Sequence, residues 1–286
     1  MAMPFDKLRR IEGQGVKELL AVVKKAQANA KRVVADAASS PAAAQDARAR
    51  ERVYAEIIKE YEGATKPMDT ILKRVITQAG KVGNQAAGVS APEGVDVLQF
   101  NEARLARYWA YVAPENSKSL AATMTESMSE NAVKALRTAF VDNFRQAGVE
   151  GWTAQETQKR LQDKWNELSG DAGTFRFVDR SGKTWENARY LQMVTRTNAN
   201  KVSRESYIDS LTEAGLQFAK ISDDSPLIEG EVCSEWAGRI VTIAGSYPGV
   251  PSYQDALDAG VFHPNCLHRL QIPTDAELKA AGIEVE

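Results

Sequence analysis

From about residue 5 to residue 170 apolar side chains recur at spacings of three and four, and that period commits the first two thirds of the chain to helices. Leu8, Val16, Leu19, Leu20 and Val23 give a first helix over 5–37, in which Gly13 and Gly15 each cost about 1 kcal/mol against alanine. Ser39-Ser40-Pro41 then predicts a break, with Ser40 as N-cap and Pro41 in the first helical position. A second helix carries Tyr54, Ile57, Ile58 and Tyr61. A third carries Met68, Ile71, Leu72, Val75, Ile76 and Ala79 and closes at Gly80. Residues 80–97 hold four glycines and one proline without a clear period, so a linker or exposed loop is expected there. Leu105, Tyr108, Trp109 and Val112 form one more stripe before Pro114. Ser127-x-x-Glu130 and Thr153-x-x-Glu156 read as capping boxes, with Gly148 and Gly170 at helix ends.

After Gly170 the pattern changes. Thr174 to Val178 alternates and runs into the turn Asp179-Arg180-Ser181-Gly182. A long helix follows from about Thr184 to Ala214, with Gly215 as its stop. Short strands are expected at 216–221, 239–243 and 267–272, separated by loops rich in Gly, Pro, Ser and Asp. The fold class is therefore α+β: a mainly α-helical N-terminal region, then a small C-terminal module with one long helix and a short β-sheet.

Charge is distributed unevenly. Residues 1–60 carry a net +4 and residues 221–286 a net −8, inside a total of −2. No long Lys/Arg run with interleaved aromatics marks a dedicated nucleic-acid surface. The longest apolar runs are about five residues, against the roughly twenty that a membrane span needs. MAMPFDKLRR has no apolar core, so no secretory signal is expected. Two cysteines cannot build a disulfide scaffold.

Both cysteines and both histidines of the protein fall within 36 residues: Cys233, His263, Cys266 and His268. Cys266 and His268 share a face if they enter a strand, and Pro264-Asn265 makes a turn that returns His263 towards them. A Cys2His2 set suits a structural tetrahedral zinc, although the spacing is that of no standard finger. Three other readings fit the same residues. They are a metal-free knot of buried thiols and hydrogen-bonded imidazoles, a Cys233–Cys266 disulfide, and a Cys266/His nucleophilic pair. Asp223, Asp224, Glu229 and Glu231 form an acidic loop that could take a divalent cation, without EF-hand order. The five tryptophans, mostly spaced with other apolar residues, are expected in cores or interfaces.

The order of these elements resembles the signature of phage head-morphogenesis proteins, the MuF-like minor capsid family, and most closely its minor capsid protein 2 branch. Tyr190-Leu191-x-Met193-Val194-x-Arg196-Thr197 is similar to the family's long helix, and Gly215 to that helix's end. Asp223-Asp224 with Val232-Cys233, then Gly238-Arg239-Ile240-Val241, follow in the family's order, and His263-Pro264-Asn265-Cys266-Leu267-His268 resembles its most specific element. The resemblance covers about residues 130–273. The chain departs from the pattern at Trp236, where many relatives have a second cysteine, and at Asn198, where many have Glu.

The resemblance implies a non-enzymatic virion protein, assembled in the host cytoplasm and acting in head assembly, genome packaging or DNA ejection. Implied partners are the portal protein, the major capsid protein, packaged DNA and further copies of the chain, with no membrane. Residues 1–120 would be a helical, oligomerising arm whose narrow stripes other molecules cover, 121–273 the MuF-like domain and 274–286 a tail. Two rivals stand beside this: a small zinc-dependent hydrolase or nuclease holding zinc on the same four residues, and an internal DNA-binding head protein using the basic residues of 7–32. A complete four-ligand set disfavours the first, because catalytic zinc keeps a position open for water.

Overall fold

The computed structural model describes residues 4–38, 46–100, 102–112, 119–169, 177–178, 184–223, 231–264 and 266–284. Helices dominate: α1 (Pro4–Ala38), α2 (Ala47–Ser90), α3 (Glu102–Val112), α4 (Leu120–Glu150), α5 (Ala154–Ser169) and α6 (Asn187–Glu213). A two-residue pair, β1 (Phe177–Val178) and β2 (Thr184–Trp185), precedes α6. Beyond α6 lie β3 (Phe218–Ile221), α7 (Val232–Trp236), β4 (Ile240–Thr242), α8 (Tyr253–Asp258), β5 (Leu270–Gln271) and α9 (Asp275–Ala280). The mainly helical chain with a small C-terminal sheet is the α+β arrangement read from the sequence. The Ser39–Pro41 cap, Pro114, Gly170, most of the Thr174–Val178 strand, the Asp179–Gly182 turn, Asp224, Glu229 and Asn265 lie outside the described residues.

Four expectations are corrected. The second and third helices and the first half of the 80–97 loop are one 44-residue helix, α2. Its buried positions run without a break through Tyr61, Ala64, Met68, Leu72, Val75, Ala79, Val82 and Ala86, so a single apolar face spans Pro67 and Gly80. Pro67 is exposed, and the carbonyl of Gly63, which it leaves without a helical donor, belongs to an exposed residue with open space beside it. Gly80 and Gly83 serve close packing: a Cβ at Gly80 would lie 2.7 Å from the Phe100 ring, and one at Gly83 2.0 Å from the Ser203 carbonyl oxygen. Ser127 lies inside α4, which is capped instead by Ser119, whose hydroxyl accepts from the Ala122 N–H at 3.1 Å. That helix ends at Gly151 in the left-handed region, φ 69°, and not at Gly148. Lastly, the stripes of residues 1–120 are covered within the single chain: Leu19, Ile57, Met68 and Ile76 are buried. Thr153 and Glu156 do form their capping box, and Gly215 does end α6, with the Leu216 N–H donating to the Leu211 carbonyl.

The chain forms two compact units. The first comprises Met1–Gln14, Lys73–Val112 and Met193–Glu286; the second comprises Gly15–Leu72 and Ala113–Gln192. Among its described residues the elements of the second are helices and the β1–β2 pair, with Val23, Tyr54, Ile57, Tyr61, Met124, Met128, Leu136 and Trp165 in its interior. Thr65 and Thr125 meet through their hydroxyls at 2.8 Å there, and Ser119 donates to Asp69 at 3.0 Å.

In the first unit β3 is the middle strand of an antiparallel sheet ordered β4-β3-β5. Ala219 faces Val241, and Ile221 faces Leu270. Leu211, Ala219, Ile221, Cys233, Val241, Ala256, Phe262, Cys266 and Leu270 form one core with Ala86 and Ala87 of α2. Asn84 ties the parts together: its amide donates to the Leu98 carbonyl and the Ser210 hydroxyl, both at 2.8 Å, and its carbonyl accepts from the Phe100 N–H at 3.0 Å. The final segment carries α9, whose Leu278 packs with Ile240 and Ile283.

One buried carboxyl sets a pH dependence. Glu12 lies 3.5 Å from the Arg196 guanidinium, yet burial outweighs that cation and the nearby Arg9 and pushes its pKa from 4.5 up to about 7. Arg204, Arg269 and His268 line the same cleft. Between pH 4.5 and 7 the folded chain holds a proton that the unfolded chain has released. The stabilising contribution is therefore complete below pH 4.5 and is lost as pH rises through 7. Between those limits the wild type is expected to lose about 2–3 kcal/mol more than Glu12→Gln. Urea unfolding at a series of pH values checks this, and parallel curves for the two proteins would contradict it.

Candidate metal centre

Two segments of the first unit deliver the cysteines and histidines. Cys233 sits on the short helix α7 and is fully buried. His263 follows Phe262, whose φ of 64° is the one positive value at a non-glycine among the described residues. The Cys266 N–H donates to the His263 carbonyl at 2.9 Å, which closes the expected turn and brings the two side chains together. Cys266 and His268 are buried while Leu267 between them is exposed, so the alternation of an extended segment holds although the strand itself starts at Leu270. Asn200 of α6 donates to the Cys266 carbonyl at 3.3 Å and fixes this segment to the helix.

The ligand atoms of Cys233, His263 and Cys266 lie within 4.8 Å of one another. The two sulfurs are 3.5 Å apart and both cysteines are free, far beyond the roughly 2.05 Å of a disulfide. His268 stands outside this trio and meets it at one point, its Nδ1 lying 3.4 Å from the Cys266 sulfur. His263 is only half-buried. Its Nδ1 lies 3.0 Å from the Pro264 carbonyl oxygen and its Nε2 3.7 Å from the Glu231 carboxylate. Whichever ring nitrogen faces the sulfurs, the other has an oxygen acceptor nearby, the usual support for a ligating imidazole.

The residues fit a tetrahedral ion. Two thiolates at about 2.3 Å from zinc stand about 3.8 Å apart, close to the separation found. Without a metal, burial and the neighbouring Cys233 thiol push the Cys266 thiol up to about 11, against a weaker opposing pull from the His268 backbone. A reactive cysteine is favoured by the opposite shift. Arg204 lies over the Phe262 ring, 4.3 Å from its centroid, and Tyr253 donates to Glu205 at 3.0 Å, which packs the cluster against α6. Trp236 packs on the same core with Arg239 5.2 Å from its ring centroid. Asn198 donates back to the Val194 carbonyl at 2.8 Å. In the acidic loop Asp223 lies 3.7 Å from Lys220 while Glu231 lies 3.7 Å from the His263 ring, so the two described carboxylates have different partners.

A second concave feature was not foreseen. A cleft of about 110 Å³ is lined by Arg9, Glu12, Arg196, Arg204, His268 and Arg269, with Gly83 and Ala86 of α2 also on its wall. Its trace in the sequence is the i, i+4, i+8 series Arg196, Asn200 and Arg204, which sets three polar side chains along one face of α6.

A family model described as phage minor capsid protein 2 matches residues 91–272, nearly two thirds of the chain, and spans all four cysteine and histidine positions. No curated protein and no solved structure matches the chain. Among the described residues no helix is long and apolar enough to cross a membrane.

Proposed function

The chain belongs to the phage minor capsid protein 2 family, and from that premise we propose that it is a non-enzymatic component of the phage head. It binds the portal protein or the inner face of the major capsid protein shell and acts in head assembly, packaging or ejection. The match over residues 91–272 carries this reading. It is assembled in the host cytoplasm and enters the particle as several copies. Residues 1–120 supply its partner-binding arm, where Val89 and Leu98, 73% and 57% exposed, offer apolar contact area.

The Cys/His cluster is a structural clamp for the C-terminal module. Zinc is its ion, held by Cys233, His263 and Cys266 with His268 as the fourth donor. Three donors from two separate segments, the short helix α7 and the 263–266 turn, already within 4.8 Å, support this. A sheet of two- to four-residue strands gains much from such a cross-link.

Immunoblotting of gradient-purified particles and proheads tests the assignment. The chain is expected in both, cross-linked to portal or major capsid protein. Its absence from both would refute the reading.

A further inference from the structure

We propose that the arginine-lined cleft of the first unit is a binding site for a phosphate-bearing anion. The inference does not depend on the role proposed above. Three separated stretches of sequence meet there. Arg9 comes from α1, Arg196 and Arg204 come from α6, and Arg269 precedes β5. Four arginines and a single acidic residue, Glu12, line it, so the lining carries an excess of at least three positive charges. Such an excess in a concave, partly buried site suits a multiply charged anion better than a single carboxylate. Arginine's planar fork matches phosphate oxygens in pairs. Stacking on Phe262 orients the plane of Arg204 without using its N–H donors. Asn200 lines the same wall as a further polar group.

Size points the same way. An open cleft of about 110 Å³ has room for one or two phosphate groups. Gly83 and Ala86 keep the α2 side of the cleft free of long side chains. The phosphate can belong to a soluble anion or to a nucleic-acid backbone that lays one phosphodiester into the cleft; the chemistry recognised is the same.

Calorimetric titration of the full chain with inorganic pyrophosphate, and separately with a short oligodeoxythymidylate lacking terminal phosphates, tests the site. Binding of at least one probe is expected. Pyrophosphate alone assigns the site to a soluble anion, and the oligonucleotide assigns it to a backbone. Arg196→Gln and Arg269→Gln should each weaken binding about tenfold or more, with melting curves confirming the fold. Well above pH 7, where Glu12 is ionised, Glu12→Gln should tighten binding about three- to tenfold, because it removes the cleft's one negative charge. Failure of the wild type to bind either probe would overturn the proposal. So would unchanged affinity in Glu12→Gln at that pH or in the Arg196→Gln/Arg269→Gln double variant.

Discussion

Gly83→Ala is expected to destabilise the protein by about 2 kcal/mol or more, although alanine is the better helix former. The added methyl would lie 2.0 Å from the Ser203 carbonyl oxygen and 2.9 Å from its carbonyl carbon. Both are backbone of α6, so no rotamer change relieves the contact. The helices must move apart or bend, which disturbs the Asn84 bonds to Leu98 and Ser210 one residue away. Overpacking of this kind costs about 1–3 kcal/mol and more where nothing yields, and the helix-propensity gain of about 1 kcal/mol does not offset it. Gly88→Ala is the internal control. It sits on the same helix, exposed, with nothing within 4 Å, and should stabilise by about 1 kcal/mol. Denaturant melts of both variants decide the matter: equal and small effects would mean that α2 and α6 do not make this backbone contact.

Zinc removal is expected to lower the melting temperature of the full chain by about 5–10 °C, the response to losing an ion held at roughly a hundred times its dissociation constant. Elemental analysis should find one zinc per chain. Cys233→Ser and Cys266→Ser should each abolish binding, because both sulfurs belong to the trio that already converges. His268→Ala should weaken it less, since His268 lies outside the trio that already converges. The informative variant is His263→Ala. Its side chain is half-buried, with a carbonyl oxygen and a carboxylate nearby. In a metal-free knot its loss should therefore be mild, while in a zinc site it removes a ligand and should match the cysteine variants. A metal-free protein whose melting temperature ignores chelator, with a mild His263→Ala, would establish the knot.

Local chemistry was legible in the sequence and long-range contact was not. The period of α2, the cap of α5 and the stop of α6 depend on residues within a few positions of each other, and each was read correctly. The turn that joins His263 to Cys266 was legible for the same reason. Gly80 and Gly83 were misread as breakers because their meaning lies in Phe100 and in Ser203, the latter 120 positions along the chain. Ser127 and Glu130 fit a capping box, but Met124 and Met128 on either side of that point are buried, and packing carries the helix through. The arginine cleft stayed hidden because its charges come from three stretches whose meeting depends on the tertiary fold. The position of His268 beside Cys266, but outside the trio, depends on how the segment leaves the turn, which residue spacing does not determine.

The two compact units are not consecutive lengths of chain. The polypeptide passes between them after residues 14, 72, 112 and 192, and α1, α2 and α6 each belong partly to both. Synthesis therefore completes them at different times. When residue 192 has left the ribosome, every part of the second unit exists, while the first lacks its sheet, its Cys/His cluster and most of α6. Glu12 is made more than 180 residues before its partner Arg196. The start of α1 must stay available until residues 193–286 have followed, so the first unit is the later of the two to be completed.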